Sequence, residues 1–394
     1  MDYASSAHIN DWAFTSQQLS EVRTRANNEA YHFVQQRKQQ QAQQESSSDA
    51  ATATATATGT NTSISPPIGK SFAKGYNKPA GTIAESDSIS IPESDRPSFP
   101  TPEEEVTLVE FYAEKLLTLI GPNASIPKLK RDIKVASTAS ILLRRFFLSN
   151  SVTIFDPKTI MVACAFLASK VEDATCDIRY LEDGTKAMSA HVKIKDIIEA
   201  EIALVKGVDF DLCCFHPYKV VLAYTEDLRT FLKSKDGKSC VNREFVSGED
   251  LVPIYNRARE IVEHVIFHSD DMMLASPGKV GFAAMMLANK ELVERDDNVM
   301  KNEASSVPVV KIDFKGYLKC RFANEKKEHE IETLWQAMEG MLNQMGPTVK
   351  KPEPDMVVLK GIHKKLKKYR IWGKGDGAKK KKKRKRTDVD TAGK

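Results

Sequence analysis

From residue 101 to 345 apolar side chains recur every three or four positions, and only short polar stretches interrupt them. This pattern predicts a succession of helices and no sheet. Thr101-Pro102-Glu103-Glu104 reads as a helix start, with a hydroxyl cap, a proline in the first turn and acids facing the helix dipole. Val106, Val109, Tyr112, Leu116 and Ile120 follow, and Gly121-Pro122 ends the helix. A second helix is expected over about 130–149, with Ile133, Ala136, Ser140, Leu143 and Phe147 on one stripe. Asp156-Pro157 opens a third, running to about Glu172, that is apolar on nearly every side and therefore belongs at the centre of a bundle. A short helix near 178–181 and a longer one over 191–206 complete a group of five.

The same order of helix characters then returns. His216-Pro217, Pro253 and Ser276-Pro277 open three helices, the last again apolar all round. A weak segment near 314–318 and an amphipathic helix over 328–345 follow. The expected fold class is all-α: two tandem five-helix domains over 101–213 and 214–346.

Outside this body the pattern changes. Residues 1–34 form an amphipathic arm, in which Leu19, Val22 and Ala26 keep helical spacing behind Trp12 and Phe14. Two aromatics on so short an arm are expected to dock. Residues 35–100 combine a Gln-rich run, an Ala-Thr repeat and a Ser/Pro/Gly-rich stretch. They are expected to form a disordered linker, because such composition buries too little apolar surface to offset chain entropy. The tail, 347–394, holds one potential basic amphipathic helix over 359–371. It also holds a run of eight cations: Lys379, Lys380, Lys381, Lys382, Lys383, Arg384, Lys385 and Arg386.

Charge sharpens the division. Residues 350–394 contain 18 of the 58 basic residues but 5 of the 53 acids, so the remainder carries 40 basic against 48 acidic residues. A cationic tail on a mildly acidic body suits a nuclear localisation signal, or at most a non-specific nucleic-acid tether. The six cysteines show no paired metal-ligand spacing. With no secretory pattern at the start and no apolar run near the ~20 residues of a membrane span, a soluble, nuclear chain is expected. Phosphate-binding, kinase and metalloprotease motifs are missing. His264 and His268, four apart, have ligand-like spacing without an evident third ligand. Neither catalysis, metal nor cofactor is expected.

"RRFF" at 144–147, "DPKTIMVACAFLASKVED" at 156–173 and "DFDLCCFHPY" at 209–218 resemble the cyclin family. Within it the arm, Trp12-x-Phe14-Thr15-Ser16, resembles that of the cyclin H branch. The resemblance implies a non-enzymatic subunit that binds and activates a cyclin-dependent kinase, the catalytic subunit of the CDK-activating kinase. It further implies a RING-finger assembly factor and the TFIIH core as partners, and roles in RNA polymerase II transcription and the cell cycle. It assigns kinase contact to Lys130, Glu172 and Asp173. On the residues alone, Lys130 equally fits a solvated cluster with Lys128 and Arg131, and Glu172-Asp173 equally fits a helix end. Arg145 reads as structural, in an internal ion pair, and Phe147, Phe166 and Phe210 read as core. Other transcriptional cyclins (C, T, K or L type) and TFIIB-like DNA-binding proteins share the architecture. The latter carry a zinc ribbon, for which residues 1–100 supply no cysteine.

Overall fold

The computed structural model describes residues 12–50, 98–299, 309–349 and 354–373. The first group comprises α2 (Pro102–Ile120), α3 (Ile133–Ser149), α4 (Pro157–Val171), α5 (Ile178–Ala187) and α6 (Ile194–Gly207). The second comprises α7 (Pro217–Phe231), α8 (Val252–His268), α9 (Pro277–Val299), α10 (Phe314–Phe322) and α11 (Glu328–Val349). Before them lies α1 (Ser16–Ala50), and after them α12 (Met356–Tyr369). Among the described residues the only β-type pairing is an isolated bridge, Val241 to Ile312.

Local chemistry starts these helices where the sequence indicated. Thr101 closes a capping box with Glu104. Asp132 and Asp156 accept the backbone N–H of Lys134 and Lys158, fixing the entry to α3 and α4. Within α4, Ile160 to Ala165, Leu167 and Ala168 are all buried. Small side chains at Ala163, Ala165 and Ala168 let neighbouring helices come close. Gly207 at the end of α6 serves the same purpose, since a Cβ there would meet the Phe146 ring at 2.5 Å. In the second group α9 takes the central place, with Val280 and Phe282 to Ala288 buried.

One continuous apolar core runs through both groups. At their junction Ser140 of α3 donates to the carbonyl of Ile266, and Arg144 donates to that of Phe267. Asp270, just past α8, receives Arg144 at 3.0 Å and Arg23 of α1 at 2.9 Å.

The arm docks across this joint. Trp12 is 1% exposed, and its indole N–H donates to Asp211 Oδ2 at 2.6 Å. The Arg145 guanidinium lies 4.9 Å from the Trp12 ring and donates to the carbonyls of Asp211 and Cys213. Arg145 is thus structural, with carbonyl acceptors and an aromatic face as its partners here. Phe14 is buried, and its N–H bonds to the carbonyl of Met273.

Helix α1 extends to Ala50, sixteen residues past the expected arm boundary at 34. Gln, Arg, Lys, Ala and Glu are strong helix formers, and no Gly or Pro interrupts them before Gly59. The remaining expected linker, 51–97, lies outside the described residues. Phe210 also departs from expectation, being 69% exposed. Asp209 and Phe210 both adopt left-handed backbone (φ 56 and 60) and turn the ring outward after α6.

Helices α1 and α12 meet on the first group. Helix α12 buries Leu359, Ile362 and Leu366, and Lys365 pairs with Glu104. Beyond it, Ile371 N–H and Trp372 Nε1 bond to the carbonyls of Thr153 and Val152. Phe99 packs edge-on against Tyr31 of α1 and Tyr369 of α12, with centroids 5.2 Å away in each case.

Glu105 of α2 sits beneath α1 and accepts from Asn27 Nδ2 at 2.9 Å and Ser151 Oγ at 2.7 Å. Burial pushes its carboxyl up to about 7, against the lowering effect of these hydrogen bonds. The folded chain therefore holds this proton between pH 4.5 and about 7, where the unfolded chain releases it. Stability should fall as pH rises through that window, by about 3 kcal/mol in all. The Glu105→Gln variant is expected to lack this slope in urea unfolding compared at pH 5 and pH 8. A slope equal to the parent's would show that Glu105 is not its source.

Candidate partner-binding face

The expected contact residues Lys130, Glu172 and Asp173 converge where α3 begins and α4 ends. Lys130 closes a 3-10 turn (Pro127–Leu129) and is exposed. Next to it, Arg131 donates to the carbonyls of Ala174 and Thr175 at 2.7 and 2.8 Å. That clamp holds Lys130 on the same rim as Asp173. Asp173 is exposed and left-handed (φ 53), and the Ala174 N–H returns to the Ser169 carbonyl at 2.8 Å. This is the 6→1 bond of a Schellman-type helix end, where an aspartate tolerates the left-handed position.

Glu172 caps the C-terminal end of α4. Its side chain is 8% exposed and turned inward, bonded to Lys134 and to Thr138 Oγ1 at 2.6 Å, with His216 Nε2 at 3.7 Å. Burial alone would raise its pKa, but the hydrogen bonds from His216, Lys134 and Thr138, with the Lys134 charge, hold it at about 2. The carboxylate is therefore occupied within the chain and supports the rim from beneath.

Thr138 gives its proton to Glu172, so its oxygen accepts from His216 Nε2 at 2.8 Å. Burial lowers the His216 pKa, which keeps the ring neutral near pH 7 and leaves Nδ1 as an acceptor. His216 lines a cleft of about 790 Å3 between the two groups, together with Ile133, Tyr218, Leu222 and Tyr255.

A second feature adjoins the rim, and sequence reasoning missed it. Lys170, near the end of α4, pairs with Glu201 of α6 at 2.7 Å, and its ammonium lies 3.8 Å over the Phe166 ring. Phe166 is accordingly half-buried and not a full core residue. One turn apart on α6, Ile198 and Ile202 flank Glu201 and are 46% and 55% exposed. With the ion pair they form a small apolar patch that faces outward. The signal was present in the sequence. Helix α6 has isoleucines at 194, 197, 198 and 202, more than its buried stripe of Ile197, Ala200 and Leu204 can accommodate.

Of the remaining candidates, Trp12 and Phe14 are buried. The cationic run 379–386 lies outside the described residues. His264 and His268 stack with centroids 4.4 Å apart, and no group of three metal-ligating side chains occurs among the described residues. Nor is any described helix long and apolar enough to cross a membrane.

Comparison with known proteins bears on this region. The cyclin N-terminal domain model matches residues 127–213, which covers α3 to α6 and the whole rim. The chain is 32% identical over 135 residues to a putative cyclin-H of Dictyostelium discoideum, covering 34% of this chain and 43% of that protein. It spans about half the length of the curated relatives it matches, 43%, 59% and 49% for three of them. A chain of the CAK complex from Chaetomium thermophilum bound to ATP-γ-S superposes with TM-score 0.62 at 20% identity, covering 99% of this chain and 98% of that one. A chain of yeast TFIIK (Kin28/Ccl1/Tfb3) gives TM-score 0.51 at 20% identity, covering 87% and 100%. Both agree with an all-α cyclin fold extending beyond the cyclin N-terminal domain.

Proposed function

We propose that this chain is the cyclin H-like regulatory subunit of a CDK-activating kinase, binding a cyclin-dependent kinase and raising its activity. The observation that carries the reading is the exposed face of the cyclin domain, where Ile198 and Ile202 surround the Lys170–Glu201 pair beside Lys130 and Asp173. The relatives named cyclin-H and the CAK and TFIIK complexes among the structural neighbours support it. Activation of this kind works by seating a partner's helix. The kinase glutamate that pairs with the catalytic lysine sits on that helix, and pushing it inward completes the site for phosphoryl transfer. The cyclin contributes shape and charge, and no reacting group. Assembly with a third, RING-finger subunit and with the TFIIH core, action in RNA polymerase II transcription and the cell cycle, and nuclear residence through residues 379–386 belong to the same proposal.

Co-expression with a CDK-activating kinase catalytic subunit tests it. Wild-type chain should capture the kinase and raise its phosphorylation of a substrate peptide. Ile198→Asp with Ile202→Asp should reduce capture by about 30-fold or more, as truncating a central apolar anchor does. Lys130→Glu should weaken it less, because the lysine lies on an exposed rim. Wild-type capture by the double variant would move the contact elsewhere, and no capture by the parent chain would refute the function.

A further inference from the structure

Helix α12 carries two opposite faces. Leu359, Ile362 and Leu366 are buried against the first helix group. Lys360, Lys364, Lys367 and Lys368 point away and are exposed. Among the described residues no carboxylate pairs with these four lysines, whereas Lys365, on the inner edge, is held by Glu104. Their spacing of i, i+4, i+7 and i+8 places four charges along one stripe of about 12 Å. Helix α1 brings further cations alongside, since Lys38 Nζ lies 4.2 Å over the ring of Tyr369, with Arg37 next to it in sequence.

We propose that the outer face of α12, with the adjoining part of α1, binds the phosphate backbone of double-stranded nucleic acid. Duplex DNA presents a negative charge every ~1.7 Å of axis, so a straight row of ammonium groups meets several phosphates at once. An acidic peptide fits less well, because peptide docking uses apolar pockets between the charges and this stripe is lysine throughout. A lipid surface fits less well too, because the apolar face of the helix already faces protein. Met356, Val357 and Val358, the exposed apolar residues of α12, stand at its first turn, away from the middle of the stripe. The surface joins two helices far apart in sequence and sits on a body that is otherwise net acidic.

The test uses the full chain and a labelled duplex of about 20 base pairs, with affinity measured by anisotropy across a series of KCl concentrations. Replacing Lys360, Lys364, Lys367 and Lys368 by Gln should lower the slope of log K against log[salt] by about 3 to 4, and Lys364→Gln with Lys368→Gln by about 2. Lys→Gln at Lys233, Lys235, Lys238 and Lys326, all exposed on the second helix group, removes the same charge elsewhere and should leave the slope close to the parent's. An unchanged slope in the α12 variants would assign duplex binding to residues 379–386 alone and overturn the proposal. Tighter binding to an acidic peptide or an anionic vesicle than to the duplex, at equal salt, would overturn it as well.

Discussion

Replacing Asp270 by Ala is expected to lower the unfolding free energy by about 3–5 kcal/mol, because it strands two cations at the joint between the helix groups. Asp270 accepts Arg144 at 3.0 Å and Arg23 at 2.9 Å. Burial pushes its pKa up, but the Arg23 and Arg144 charges and their hydrogen bonds outweigh that and hold it below the usual carboxylate value. The group is therefore ionised in the folded chain. Its contribution is complete above the unfolded pKa of 3.8 and is lost as pH falls through the lower folded value. Without the carboxylate, Arg144 keeps the Phe267 carbonyl, and its charge stays buried. Asp270→Asn, which retains an acceptor but no charge, should cost less. Pairing it with Arg23→Gln should recover part of the loss, since one unmatched cation is then gone. Urea unfolding followed by circular dichroism measures each variant. A loss below about 1 kcal/mol for Asp270→Ala would mean the joint rests on apolar packing, with the ion pairs contributing little.

The legible parts of this fold were those set by neighbours in sequence. The caps at Thr101, Asp132 and Asp156, the prolines behind them and the all-apolar α4 each depend on residues within a few positions. The illegible parts depend on distant partners. Glu172 reads as a free helix-end acid until Thr138 and His216 arrive from 34 positions before and 44 after. Arg145 invites an acidic partner, and the sequence gives no sign of the distant carbonyls and the Trp12 face that it also meets. Phe210 reads as core by helical periodicity, and no glycine signals the two left-handed residues that expel it. For α1 the error was one of weight. Low apolar content argued for disorder, whereas helix propensity acts residue by residue and needs no core once the docked part has nucleated the helix. In the candidate face, Lys130 and Asp173, which the resemblance assigns, stand exposed on the rim. Ile198 and Ile202 were passed over because excess apolar width in a helix looks like a wider core until the packing shows which side remains open.

Trp12→Ala should be comparably costly, at about 3–5 kcal/mol, the range for deleting a fully buried large aromatic. The indole lies over the Arg145 guanidinium and holds Asp211, and two residues later Phe14 bonds to Met273 in the second helix group. Removing it opens a cavity and leaves one face of a buried cation without its aromatic cover. The arm's grip on both groups should loosen with it. Trp12→Phe separates these effects. It keeps a ring near Arg145 but deletes the N–H to Asp211, and should cost about 1–2 kcal/mol. Limited proteolysis supplies an independent reading, because an arm released from the joint should be cut between Trp12 and Arg25 well before the body of the chain. If Trp12→Ala unfolded at the parent's urea concentration and resisted protease equally, the arm would contribute no energy to the joint. The shared apolar core and the Arg23–Asp270–Arg144 pairs would then hold the two groups in register.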